Sequence, residues 1–457
     1  MRRILLGVAL CALAILTTYG KNTLQVGWAD IDLRYTEGQA VEVTKSTMTL
    51  TAWRGESVSA LVAVTTPKQL DCLRVTVGEL HCGSKRIAAQ QLHAAFVDYV
   101  MTDGLHPDGR GGCGYRKSAD YDSSMVADII DTDMRPVQVD AGGSQTCWLR
   151  IDVPAETTAG LYKGQVTVSC ADGLLARLPL SVKVIDRILP PPAEWTFHLD
   201  LWQNPYAVAR YYGVEPFSDE HFQLMRPIMR NYAEAGGKVI TASITHKPWN
   251  GQTYDPFESM VTWIRRADGT WLYDYTTFDR CVEFMMSLGV TKQINCYSMV
   301  PWRLSFQYLD GATNTLRFIS CKPGEAAYEE FWGTMLRDFA RHLRQKGWFD
   351  RTHIAMDERS LPDMLATLQV IRRADPEFRV ALAGSYHEEL MSELDDYCIT
   401  LAEQFPEVLL RERKEQGKTS TFYTCCNERE PNTFTFSQPA EAEWLAWHAA
   451  AAGLDGY

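Results

Sequence analysis

Thr352-His353-Ile354-Ala355-Met356-Asp357-Glu358-Arg359-Ser360-Leu361-Pro362-Asp363 is an apolar run that ends in two adjacent carboxylates and passes at once into a helix start. Ser360 followed three residues later by Asp363 reads as a helix cap, with Pro362 in the first turn where a missing N–H costs nothing. A strand that turns into a helix within a few residues leaves Asp357 and Glu358 at the strand's C-terminal end, where α/β barrels keep their chemistry. Neighbours on a regular strand point to opposite faces, so a shared site requires the strand to end or bulge at this pair.

The chain on either side repeats the pattern. Tyr328, Phe331, Trp332, Met335, Leu336, Phe339, Ala340 and Leu343 fall on one helical stripe before the pair, and Leu365, Leu368 and Ile371 form the next stripe after it. Strand-like apolar runs at 196–201, 238–244, 293–299, 352–356, 379–383, 397–401 and 419–424 alternate with helical patterns. Seven such runs predict a (β/α)8-type barrel over 195–457. An eighth strand is expected near Gly453-Leu454-Asp455-Gly456-Tyr457, where the sequence given stops. The barrel is therefore expected to be C-terminally incomplete, with unpaired backbone groups where the first and last strands should meet.

From 24 to 188 the rhythm is different. Short period-two segments such as Leu73-Arg74-Val75-Thr76-Val77 and Gln165-Val166-Thr167-Val168 lie between turn residues. These predict a β-sandwich, and Pro190-Pro191-Pro192 marks the boundary with the barrel. Its longest irregular stretch, 104–133, holds the glycine-rich run Gly109-Arg110-Gly111-Gly112-Cys113-Gly114. Ahead of the sandwich, Arg2-Arg3 precedes an apolar stretch over 4–15 and then polar residues, which reads as a signal peptide over 1–20. Export to the periplasm or the extracellular space is expected, with no integral membrane segment after signal removal. Leu10 before Cys11 does not support a lipid anchor.

Composition narrows the partners. Lys and Arg total 45 against 57 Asp and Glu, a formal charge of −12 with no basic run, so nucleic acid is excluded as an expected partner. The aromatic content of 11%, with 13 Trp, suits the flat apolar faces of sugars as well as cores. The 12 cysteines show no paired metal-ligand spacing and no cofactor is expected. After export some can pair; otherwise they are buried small hydrophobes.

Glycosidic cleavage needs a proton donor at the leaving oxygen and something to stabilise the charge that develops at the anomeric carbon, and two carboxyls supply both. Adjacent residues do not readily straddle the bond about 5 Å apart, as direct carboxylate attack requires. Attack by a 2-acetamido oxygen of the substrate fits better: Asp357 orients the amide while Glu358 protonates the leaving oxygen and later activates water. For this Glu358 needs burial, or the charge of Asp357, to keep its proton near neutral pH. Local residues alone also allow a structural pair bonded to Arg351, Arg359 or a helix end.

With the Asp357-Glu358 pair, three further segments carry a resemblance. They are 153–164 (Val-Pro-Ala-Glu-Thr-Thr-Ala-Gly-Leu-Tyr-Lys-Gly), Asp268-Gly269-Thr270-Trp271 with Asp274-Tyr275-Thr276-Thr277-Phe278-Asp279, and 295–302 (Asn-Cys-Tyr-Ser-Met-Val-Pro-Trp). In these the chain resembles glycoside hydrolase family 123, retaining N-acetyl-β-galactosaminidases with neighbouring-group catalysis. The resemblance implies that Asp357 is the amide-orienting acid and Glu358 the acid/base, acting on a glycan or glycolipid-derived saccharide. Strand-end positions add substrate-binding candidates: Tyr297 and Trp302, Tyr386 and His387, Tyr423 and Asn427, and Trp202 and Asn204. Two other readings stay open: a glycan-binding envelope protein without catalysis, and a metal-dependent barrel hydrolase using His198, Asp200, His246 or His387. Galacto against gluco specificity is not legible in these residues.

Overall fold

The computed structural model describes residues 23–102, 124–132 and 135–457. The expected signal peptide and the run Gly109–Gly114 lie outside them. The described residues up to Leu189 form one compact unit and those from Pro190 onward another.

The first unit is two β-sheets. One runs, in spatial order, Gln25–Ala29, Ser57–Thr65, Ser144–Asp152, Leu92–Thr102 and Ser124–Asp131. The other runs Met48–Arg54, Gly173–Ile188, Gly160–Cys170, Leu70–Val77 and Val137–Val139. Pairing is antiparallel except where Met48–Arg54 lies along Gly173–Ile188. Alternation along each strand turns one face inward, so Trp28, Phe96, Leu149 and Ile151 from the first sheet share a core with Tyr162, Val166, Val168 and Leu180 from the second. Ser124–Asp131 corrects the expectation of an irregular stretch reaching 133: its buried Val126 and Ala127 pay back the backbone order by pairing beside Leu92–Thr102.

The second unit is built on six parallel strands, Val239–Ser243, Gln293–Tyr297, Thr352–Met356, Arg379–Ala383, Asp396–Thr400 and Thr419–Tyr423. Their near-continuous burial, as in Thr352–Met356, is what a parallel sheet covered on both faces requires. Helix Ala326–Lys346 precedes Thr352–Met356; all eight residues of its sequence stripe are buried, and it ends at Gly347 in the left-handed conformation with φ 71°. Helix Leu361–Ala374 follows, with the Ser360 side chain accepting from the Asp363 amide. Its buried face is Met364, Thr367, Leu368, Val370 and Ile371. Leu365, expected on that stripe, is 37% exposed because the face is centred one position earlier.

The expectation of unpaired strand edges is not met. Residues 198–199 pair on one side with Gly237, and residues 455–457 lie between them and the strand Thr419–Tyr423. His198 N donates to Asp455 O at 2.8 Å, Tyr457 N to His198 O at 3.0 Å, Asp200 N to Tyr457 O at 2.8 Å, and Asp455 N to Ser420 O at 2.8 Å. Three residues suffice because each alternate backbone group faces a different neighbour. A further element absent from the sequence reading is an outlying four-stranded sheet, Trp271–Asp274, Thr262–Arg265, Ser305–Asp310 and Thr315–Ser320. It packs through Trp263, stacked on Phe331 of helix Ala326–Lys346 at 4.5 Å. Among the described residues no helix is long and apolar enough to cross a membrane.

Gly456 makes the final pairing possible, since a Cβ there would stand 2.0 Å from His198 O and 2.6 Å from its carbon. Gly456→Ala forces the two backbones apart and is expected to cost on the order of 3 kcal/mol, among the larger single-substitution effects. Thermal denaturation of the variant checks this, and an unchanged midpoint would contradict the pairing.

Candidate active site

The parallel strands end around a cavity of about 610 Å3. Of the ten sequence-derived candidates, seven line it: Trp202, Tyr297, Trp302, Asp357, Glu358, Tyr423 and Asn427.

The strand Thr352–Met356 stops at Met356, so the two acids lie on the turn and escape strict alternation. Asp357 is buried, 7% exposed, and both its oxygens are held. Oδ1 accepts from the Glu358 amide at 2.9 Å and Oδ2 from Trp302 Nε1 at 3.0 Å. Glu358 is exposed, and its Oε1 accepts from the Tyr423 hydroxyl. Gly384 lets its backbone sit close, because a Cβ at 384 would come 3.3 Å from Glu358 Cα and 3.7 Å from its Cγ. Arg351 donates to Thr291 O at 2.7 Å and Arg359 to Val300 O at 2.9 Å, so these hydrogen bonds of the two arginines go to backbone carbonyls and not to the acids.

Burial pushes Asp357 up to about 6, the neighbouring Glu358 charge adds to that, and the two donors and the Arg359 charge partly offset it. The burial expected for Glu358 therefore falls on Asp357 instead. Tyr423 is raised by its own burial and then by the Glu358 carboxylate that it faces.

One wall is aromatic. Trp202, Trp249 and Tyr297 meet pairwise with ring centroids 5.0, 4.8 and 5.1 Å apart. Trp249 is missing from the sequence-derived candidates; it lies in the loop after Val239–Ser243, and an aromatic a few residues past a strand end was the available signal. The floor is polar. Gln293 Nε2 donates to Asn295 Oδ1 at 2.9 Å and to Asp396 Oδ2 at 2.6 Å, and Asn295 Nδ2 donates to Asp200 Oδ2 at 3.2 Å. Burial raises Asp200 to about 7, and burial lowers His353 to about 4. Asp396 is penalised by burial too, yet His198, His353 and Gln293 together hold it below the usual carboxylate range.

Three candidates do not reach the cavity. Asn204 caps helix Pro205–Tyr212, accepting from the Tyr206 amide at 3.1 Å and donating to Asp255 O at 3.1 Å. Tyr386 stacks on Tyr397 at 6.3 Å and meets Phe405 edge-on, which turns its ring inward. The backbone N–H of His387 donates to the Tyr397 hydroxyl at 2.6 Å, at the start of a short 3-10 turn. Among the described residues no three His, Cys, Asp or Glu are grouped to hold a metal ion, and His246 pairs with Glu258 at 2.5 Å. Of the cysteines, Cys147, Cys281, Cys296 and Cys321 are buried free thiols and Cys426 is disulfide-bonded.

Trp302→Phe keeps an aromatic ring but removes the donor to Asp357. The ionised carboxylate loses stabilisation, so its titration midpoint is expected above that of the unmodified protein. Carbon-detected NMR of the labelled carboxyl measures it; an unmoved midpoint counts against the contact.

A family model described as "Glycoside hydrolase 123, catalytic domain" matches residues 202–457, and one described as "Glycoside hydrolase 123 N-terminal domain" matches 28–170. Among solved structures the chain is similar to a family 123 glycoside hydrolase from Clostridium perfringens, described for glycolipid glycan hydrolysis. Identity is 25% and the TM-score 0.85, over 95% of this chain and 77% of that one. A family 39 glycoside hydrolase from Bacteroides cellulosilyticus WH2 also matches at 12% identity and a TM-score of 0.28, over 79% of this chain and 58% of that one. No curated protein matches the chain.

Proposed function

Because the chain belongs to glycoside hydrolase family 123, we propose that it is a retaining exo-glycosidase that releases terminal β-linked N-acetylgalactosamine by substrate-assisted hydrolysis. The eight strand segments are read as a (β/α)8-type barrel with the catalytic groups at its C-terminal mouth. The observation that carries the reading is the unequal pair at one cavity: Asp357 buried and fixed by two donors, Glu358 exposed beside it.

A fixed, ionised Asp357 accepts the acetamido N–H and turns the carbonyl oxygen toward the anomeric carbon. That oxygen forms the new bond to the anomeric carbon as the glycosidic C–O bond breaks. Glu358 gives its proton to the leaving oxygen. The positive oxazolinium ion that results is stabilised by the Asp357 charge. Glu358, now a carboxylate, takes a proton from the water that attacks the same carbon and reopens the ring, so configuration is retained. Neighbours in sequence need not straddle the bond in this scheme, since the nucleophile belongs to the substrate. Trp202, Trp249 and Tyr297 offer the apolar ring faces suited to a sugar and its N-acetyl methyl. The glycolipid glycan named for the Clostridium perfringens relative supports a saccharide of that kind as substrate, and export to the periplasm or beyond fits such a substrate.

The test is release of a chromogenic phenol from an aryl N-acetyl-β-galactosaminide, with the aryl β-galactoside lacking the acetamido group left intact. Glu358→Gln is expected to lower kcat by roughly 10²–10⁴-fold, the usual worth of a general acid/base, and Asp357→Asn to lower kcat as well. Equal turnover of both substrates would overturn the neighbouring-group scheme. Saccharide binding without turnover would replace the enzyme reading with that of a glycan-binding protein.

The pH dependence follows from Asp357. Its pKa is raised, so it takes up a proton as pH falls through about 6 and can then no longer accept the amide N–H as a carboxylate. The acid limb of kcat/KM is expected near that pH, and a limb near the ordinary aspartate value would contradict it.

A further inference from the structure

Arg359 follows the two acids directly, yet among the described residues no carboxylate forms an ion pair with it. Its guanidinium lies over the Trp302 ring, 4.4 Å from the centroid, and its Nε donates to Val300 O at 2.9 Å. Trp302 is itself tied by its backbone N–H to Pro248 O at 3.0 Å, and its indole N–H is the donor on Asp357. Trp302 is 39% exposed, so the Arg359 guanidinium covers part of a side chain that the core does not enclose.

We propose that Arg359 is a positioning residue, which clamps the Trp302 indole against Asp357 and so fixes the direction in which that carboxylate receives the substrate amide. The inference rests on the functional reading above. A planar guanidinium suits the task because it stacks on an aromatic face while still donating along its edge; an ammonium carries the same charge without the flat contact. The residue thereby joins two strand ends, the turn after Thr352–Met356 and the loop after Gln293–Tyr297, through one side chain. The charged and titratable groups that act on Asp357 are Glu358, which raises it, and Arg359, which lowers it, while the Tyr297 phenol feels the Asp357 charge from the neighbouring strand.

Arg359→Met removes both stack and charge, and Arg359→Lys keeps the charge alone. Both are expected to lower kcat by roughly tenfold to a hundredfold with a smaller change in KM, as a small misplacement of a reacting group does. Both should move the acid limb of kcat/KM upward, Arg359→Met further because it also removes the charge. In a Trp302→Phe background Arg359→Met is expected to cost little more, because its target is already gone. A crystal structure of Arg359→Met gives a reading independent of activity: the contact from Trp302 Nε1 to Asp357 is expected to lengthen beyond hydrogen-bonding range. Wild-type kcat in both Arg359 variants, or an intact Trp302 contact in that crystal structure, overturns the proposal. If the wild-type chain turns over and Glu358→Gln abolishes it while the Arg359 variants do nothing, this inference fails alone. If the wild-type chain turns over nothing, the functional reading fails, and the crystal structure still decides the clamp.

Discussion

The second unit depends on a ring of backbone hydrogen bonds that has one very short member. Residues 455–457 hold together the segment around His198 and the strand Thr419–Tyr423, and they can do so only because Gly456 presents no side chain to the His198 carbonyl. The cavity residues stand on the ends of these segments: Asp200 and Trp202, Tyr297, Asp357 and Glu358, Ala383, Cys398, Tyr423 and Tyr457. A parallel sheet whose edges are joined turns all its strand ends to one side, so chemistry drawn from distant parts of the sequence meets at one mouth.

Inside that ring the polar groups are arranged in two layers of different character. Below, Gln293, Asn295, Asp200 and Asp396 exchange hydrogen bonds among themselves, with His198 3.6 Å from Asp396. Above, Asp357 and Glu358 are bonded to side chains from other strand ends, Trp302 and Tyr423. The lower layer has its partners within the strands and is set when they pair. The upper layer depends on loops, and its geometry is consequently sensitive to residues such as Arg359 and Gly384 that touch no substrate in the proposed scheme.

How much of this was legible follows from what each signal measures. Apolar runs bounded by turns delimit buried strands, and Thr352–Met356 and Arg379–Ala383 were recovered end to end. The outlying sheet from Thr262 to Ser320 was not, because its strands are short, half exposed and split between two insertions, one after Val239–Ser243 and one after Gln293–Tyr297. The acid pair was readable because a strand end and a helix cap coincide there. Side-chain direction past a strand end was not: Tyr386 follows its strand as Tyr297 ends its own, but the rings of Tyr397 and Phe405 draw Tyr386 away from the cavity. Helix capping by Asn204 was available from Pro205 directly after it, a signal that competes with any binding role. Asp357 and Glu358 are equivalent neighbours in the sequence, and only coordinates reveal which of the two acids is shielded.

That shielding has a consequence for traffic through the site. An exposed Glu358 meets bulk solvent directly, which in the proposed scheme brings the hydrolytic water to it. Asp357, capped by an indole and a peptide amide, is largely withdrawn from that solvent. Two side chains one residue apart thus face different media, a division imposed by which of them the fold leaves open to water.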